Sequence, residues 1–204
     1  MGIKKTDEGE AEMKKRICIW VMGVMMAFVF SIPAWAAGAP PAVGGQLPDI
    51  KLAMPKDSGD KSYLGLSFGF GSLRIPQIKA QVVIVEIFSM YCPYCQKEAP
   101  VVNELYAKIE KNPALKGKIK LIGIGVGNSL YEVGVFKKKY NVPFPLFADA
   151  DYVIHKQVGE VRTPYFIGVK INPDGSHQIF YSKLGAFEGV DQFLATVIKL
   201  SGLQ

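Results

Sequence analysis

The sequence predicts an α/β domain in which a central sheet is covered by helices on both faces. Three observations carry that prediction. Short β-branched apolar runs alternate with longer segments of helical spacing. The runs Tyr165 to Ile171 and His177 to Ser182 flank Asn172-Pro173-Asp174-Gly175, which places proline and glycine where a hairpin turn needs them. Two cysteines, Cys92 and Cys95, stand between a strand and a helix. Strands that alternate with helices and close on a hairpin and a last helix stack as helix, sheet and helix.

The elements follow in order. Residues 37–48, rich in Gly and Pro, read as a linker, and residues 49–204 as the domain. Gly59 to Gly71 combines glycines with aromatics and predicts a loose hairpin or loop over the edge of the domain. Leu73 to Ile78 reads as a short helical turn. Val82 to Phe88 is apolar except for Glu86 and reads as a buried strand. A helix over 93–111 follows, with Pro100 inside it, where a missing N–H removes a hydrogen bond and kinks the axis. Ile119 to Val126 is the second central strand, and a helix near 129–140 comes next. A short strand at Phe144 to Phe147 precedes a helical turn from Asp151. After the hairpin, an amphipathic helix runs from Glu188 to Leu200. No internal repeat is present.

The first residues carry an address. Lys14-Lys15-Arg16 precedes 21 uncharged residues, 17–37, which contain Ala34-Trp35-Ala36. Basic, then apolar, then Ala-x-Ala is the order of a secretory signal, here over residues 13–36. The alternative is an uncleaved N-terminal anchor, since 21 uncharged residues just suffice to cross a bilayer. Residues 1–12 carry Asp7, Glu8, Glu10 and Glu12, fit no part of a signal, and read as an over-extended start ahead of Met13. The expected location is therefore the periplasm or cell envelope.

Cysteine usage and charge bound the chemistry. Of three cysteines, Cys18 lies in the targeting segment, which leaves the Cys92/Cys95 pair. One pair in an exported chain of this length is not a disulfide framework, so its thiols serve chemistry. The formal net charge is +6; five of the 24 basic and four of the 18 acidic residues lie in 1–36, which leaves +5 beyond it. The excess is dispersed apart from Lys137-Lys138-Lys139, with no interleaved aromatics, and nucleic acid is not an expected partner.

Thiols three residues apart on the first turn of a helix share a face and can close a disulfide. The first, Cys92, lies where free N–H groups and the positive end of the helix dipole favour a thiolate. Pro93 suits the first helical position, where a missing N–H costs nothing. The pair therefore predicts thiol-disulfide exchange.

From Gly45 onward the chain resembles the thioredoxin fold, in its TlpA/ResA-like, redoxin-related branch of exported thiol-disulfide oxidoreductases. The resemblance rests on Gly45-Gln46-Leu47-Pro48-Asp49-Ile50-Lys51-Leu52 and on the strand into Cys92-Pro93-Tyr94-Cys95, with Glu86 six residues before Cys92. It rests also on Cys95-Gln96-Lys97-Glu98-Ala99-Pro100, on Tyr140-Asn141-Val142-Pro143-Phe144-Pro145-Leu146, and on Thr163-Pro164 before the hairpin. It implies a central mixed β-sheet with helices on both faces, and an extra strand and helix within the 69-residue spacing from Cys95 to Pro164. It further implies Cys92 as nucleophile, Cys95 as the resolving thiol, Glu86 and Glu98 as proton carriers for Cys95, and a cis Thr163-Pro164 bond whose backbone receives an extended peptide. Tyr91, Pro93 and Tyr94 would rim that site. Protein dithiols or disulfides are the implied substrates, with a membrane thiol protein as electron donor or acceptor and no metal or organic cofactor. Pro93-Tyr94 and Thr163 depart from the strongly reducing members of the branch and resemble glutaredoxins and disulfide isomerases.

Other patterns are weaker. Gly123-x-Gly125-x-Gly127 lacks the spacing of a dinucleotide site and reads as a strand end. Asp149-Ala150-Asp151 reads as a loop and helix cap. Cys92, Cys95, His155 and His177 do not have zinc-site spacing. Gln96 stands where covalent haem needs His. A peroxiredoxin motif would place Pro at Val85, although Ser89 fits. Three functions follow. The first is a reductant of exported proteins, as in cytochrome c maturation; the second is a disulfide oxidase or isomerase. The third is a redox-inert binding module, which the intact cysteine pair opposes.

Overall fold

Val82–Phe88 (β3) is buried along its whole length and forms the centre of a five-stranded sheet. The computed structural model describes residues 39–66 and 71–203. The signal, the early start and Cys18 lie outside the described residues. β3 pairs in parallel with Ile119–Val126 (β4), and β4 in parallel with Leu146–Asp149 (β5). On its other side β3 runs antiparallel to Tyr165–Ile171 (β6), which pairs antiparallel with His177–Leu184 (β7). The order β5-β4-β3-β6-β7 makes the sheet mixed, as expected.

Alternation along β3 sends residues to two cores. Val83, Val85 and Ile87 join one core, with Leu52 from Lys51–Ala53 (β1) and Leu73 from Ser72–Arg74 (β2). Leu64 of Ser58–Leu64 (α1) lies there as well. Val82, Ile84 and Phe88 join the other core, against Pro93–Lys111 (α2), Leu130–Lys139 (α3) and Val190–Ser201 (α5). Val153–Gln157 (α4) packs Ile154 into the first core. Helices therefore cover both faces. Among the described residues no helix is long and apolar enough to cross a membrane.

The helix bounds have local causes. α2 starts at the expected Pro93, and its buried residues Cys95, Glu98, Ala99, Val102, Leu105 and Ile109 repeat with helical spacing. Pro100 lies on the exposed side of α2, away from its buried stripe. α3 opens on a capping box: the Ser129 hydroxyl accepts from the Glu132 N–H, while the Glu132 carboxylate accepts from the Ser129 N–H.

Three expectations are corrected. The segment read as a loose loop, of which residues 67–70 lie outside the described residues, instead holds most of α1, because the Asp57 side chain accepts from the Asp60 N–H and Gly65 ends the helix at φ 66°. Tyr63 then places its hydroxyl on the Leu121 N–H at 2.9 Å, satisfying β4 where β5 does not pair with it. The helical turn expected at 73–78 is in part strand, β2, followed by one 3₁₀ turn over Ile75–Gln77. The strand expected at 144–147 lies at 146–149, since Pro145 has no N–H to give and contributes only its carbonyl, to Gly123 N. Within the segment read as a linker, Gly44 and Gly45 exchange backbone hydrogen bonds with Ile179.

Candidate active site

The end of β3 and the start of α2 bring the two thiols together. Cys92 is the N-cap of α2, at φ −81° and ψ 115°, and Pro93 is its first residue. Cys95 opens the buried stripe of the helix and is fully inaccessible, whereas Cys92 is half-buried. Helical spacing therefore divides the pair into an outer and an inner thiol, both free.

The loop before Cys92 is pinned from two sides. The Met90 N–H donates to Asn128 Oδ1 at 2.8 Å, and Gln96 Nε2 donates to the Met90 carbonyl at 2.7 Å. Asn128 is fully buried just beyond β4, and its Nδ2 reaches Ser89 Oγ at 3.5 Å. The Tyr91 hydroxyl donates to Glu132, the capping residue of α3. Hydrogen bonds from the Ser129 and Tyr91 hydroxyls and the Ser129 N–H hold the Glu132 carboxyl down at about 2.

The charges around the thiols differ sharply. Cys92 Sγ donates to the Thr163 carbonyl at 3.3 Å. Burial raises the Cys92 pKa, but the Thr163 hydroxyl, the Cys95 N–H and thiol and the Tyr94 N–H outweigh it, and the net shift is downward. Burial, joined by Cys92 and the Glu86 charge, pushes the Cys95 thiol well up. Glu86 lies on the same side of β3 as Ile84 and Phe88, in the face covered by α2. Burial, then the charges of Glu98 and Cys92, raise its carboxyl to about 8. Glu98, 6% exposed, is shifted up by burial against the pull of the Phe187 backbone and Lys97. The Oε1 atoms of Glu86 and Glu98 have no hydrogen-bond partner among the described residues.

The Thr163-Pro164 bond is cis, as expected. Beside it runs a groove of about 380 Å³, lined by Tyr94, Lys97, Glu98, Arg162, Thr163, Pro164, Leu184, Gly185 and Ala186. Both walls come from segments already fixed: α2 on one side, and the ends of β6 and β7 on the other.

The structure thus gathers Cys92, Cys95, Glu86, Glu98, Thr163, Pro164 and Tyr94. Tyr91 and Pro93 are exposed beside Cys92 but do not line the groove. Arg162, Leu184 and Asn128 were not singled out from sequence. Asn128 carried one faint signal, a polar residue directly after Gly127 at the end of a predicted strand. The weaker patterns have structural partners. Asp149 Oδ1 and Oδ2 accept from the Ile154 and His155 N–H groups, capping α4. His155 Nε2 faces the Val161 carbonyl at 2.9 Å, and His177 Nε2 accepts from the Leu47 N–H at 3.2 Å. Gly123 is a close-packed strand position, since a Cβ there would lie 2.5 Å from Leu146 Cδ2 and 3.1 Å from the Phe88 ring.

The family model described as AhpC/TSA matches residues 43–182, which takes in the thiols, the cis-proline and the hairpin. The chain belongs to the AhpC/TSA family. Within its redoxins, the thiol-disulfide oxidoreductase ResA of Bacillus thuringiensis is 28% identical over 92 residues, 45% of this chain and 50% of that protein. The chain spans about half the length of the curated relatives it matches. The thioredoxin domain of a thiol-disulfide oxidoreductase from Bacteroides vulgatus superimposes with a TM-score of 0.56 at 17% identity, over 76% of this chain and 98% of that one. A secreted Mycobacterium tuberculosis disulfide oxidoreductase gives 0.52 at 18%, over 74% and 96%. These likenesses establish the thioredoxin-like fold expected from the sequence.

Proposed function

We propose that this protein is an exported thiol-disulfide oxidoreductase that uses Cys92 and Cys95 to reduce disulfides in other envelope proteins. The observation that carries thiol-disulfide exchange is the pairing of an accessible thiol of lowered pKa with an inaccessible one of raised pKa, beside a peptide-sized groove, and the reducing direction is supported by the resemblance to the TlpA/ResA-like branch. Cys92, as thiolate, attacks one sulfur of a substrate disulfide; that S–S bond breaks, and the leaving thiolate takes a proton from solvent. Cys95 then gives up its proton and attacks the Cys92 sulfur. The second substrate thiol leaves, and the protein holds the disulfide after passing on two electrons. A membrane thiol protein restores the dithiol.

Glu86 and Glu98 are the carriers for the Cys95 proton. A carboxyl near pKa 8 is better matched to a high-pKa thiol than an ordinary carboxylate is, and it can both take and return the proton near neutral pH. The groove and the Thr163 backbone hold the peptide around its cysteine. Export is supported by the basic, apolar and Ala-x-Ala order over residues 13–36, and action on apocytochromes c by the resemblance of the sequence to the TlpA/ResA-like branch.

Trapping tests this reading. Cys95→Ala should accumulate mixed disulfides at Cys92 with envelope proteins, separable by diagonal electrophoresis, and Cys92→Ala should accumulate none. Equal, empty captures from both variants would leave a redox-inert binding module. A second reading, oxidase or isomerase, is favoured by one observation: Thr163, with its hydroxyl, is the residue that meets the Cys92 sulfur, and it favours the thiolate and hence the reduced form of the pair.

A further inference from the structure

The groove beside the cis-proline is mostly apolar, but two cations stand at it. Arg162 immediately precedes Thr163, whose carbonyl meets the Cys92 sulfur, and Lys97 lies one helical turn beyond Pro93. Both are exposed. The ion pairs of the described residues use Arg74, Lys108, Lys120 and Lys137, and neither Arg162 nor Lys97 is among them. The one carboxyl lining the groove, Glu98, is 6% exposed, lies beyond ion-pair distance of both cations, and has an oxygen without a hydrogen-bond partner among the described residues. Burial shifts its pKa upward, against the pull of the Phe187 backbone and of Lys97.

We propose that this groove selects protein disulfides whose reactive cysteine is flanked by an acidic side chain, with Arg162 and Lys97 as the residues that set the preference. The inference rests on the oxidoreductase reading above and adds the substrate class. An extended peptide lying against Thr163 advances about 3.3 Å per residue, so an Asp or Glu within two positions of its cysteine reaches a cation on either wall. Tyr94, Leu184 and Ala186 supply the neighbouring apolar lining of the groove. Repulsion works in the other direction: a Lys at the same position meets two like charges, so discrimination arises from both terms.

The test uses two synthetic peptides that differ only in the residues flanking one cysteine, Asp in one and Lys in the other. Each cysteine carries a neutral 2-mercaptoethanol disulfide. With full-length Cys95→Ala, Cys92 attacks the peptide sulfur, the S–S bond breaks, and mercaptoethanol leaves as a thiolate that takes a proton from solvent. The rate of the peptide adduct at Cys92 is read by mass spectrometry. The Asp peptide should react roughly tenfold faster at low salt, and the ratio should shrink in about 0.5 M NaCl. Adding Arg162→Glu and Lys97→Glu should invert the ratio. Adding Lys138→Glu and Lys139→Glu, an equal charge change at the far end of α3, should leave it in place. A ratio near one, or one that survives the groove charge swap, overturns the proposal while leaving the oxidoreductase reading intact. No adduct at Cys92 from either peptide overturns both.

Discussion

The Cys92 sulfur lies 3.3 Å from the carbonyl oxygen of Thr163, a residue 71 positions away that forms a cis bond with Pro164. The sheet produces this meeting. β3 delivers Cys92 and β6 begins just after Pro164, and the two strands are antiparallel neighbours with Ile87 opposite Tyr165. The Cys92 thiol and the cis-proline backbone thus meet at one end of one strand pair.

Thr163→Val should raise the Cys92 pKa toward that of an ordinary thiol, because it removes the hydroxyl that favours the thiolate and keeps the side-chain volume. Iodoacetamide labelling of Cys92 across pH is the measurement, with Thr163→Ser expected to retain the wild-type curve. Cys95 should resist labelling in the folded protein in every variant, given its complete burial.

Glu86→Gln should slow resolution of the mixed disulfide by Cys95 about 10²-fold and remove the pH dependence centred near 8. Glu98→Gln should slow the same step less, since it acts beside Glu86. Stopped-flow release of a chromogenic substrate thiol across pH 6–10 checks both, and unchanged rates in both variants would contradict a proton-carrying role.

The same carboxyl sets a stability trend. Glu86 has a folded pKa of about 8 against an unfolded value near 4.5, so the folded state binds the extra proton between those pH values. Its contribution is fully present below the unfolded pKa and is lost as pH rises through 8. Glu86→Gln should therefore be more stable than the parent above pH 8, by on the order of a few kcal/mol, with the gap closing toward pH 4. Urea titrations at several pH values read this directly.

Much of this site is legible in the sequence because its determinants are local. The β-branched run of β3, Pro93 at the first helical position and the helical repeat of buried residues in α2 fix both thiols without reference to the rest of the chain. α1 was hidden because Gly59, Gly65 and Gly71 resemble loop composition, while its stabilising contact, Tyr63 on the free edge of β4, exists only in the folded sheet. Asn128 was hidden for the same reason: its partner Met90 is 38 residues away. Arg162 drew no notice because nothing local distinguishes a groove cation from a surface one.

Asn128→Ala should cost about 1–3 kcal/mol of stability, because the Met90 N–H loses its acceptor in a part-buried loop. The loosened loop should also raise the Cys92 pKa, which a residue serving stability alone would leave unchanged. Denaturant unfolding and alkylation of the same preparation separate the two effects.

The central claim is that Cys92 and Cys95 form a reducing dithiol. The most direct measurement is the equilibrium reduction potential of this pair in dithiothreitol or glutathione buffers at pH 7. A value near that of thioredoxin, about −270 mV, is the predicted result. A value near about −120 mV would contradict it and make the protein an oxidant of other proteins' thiols.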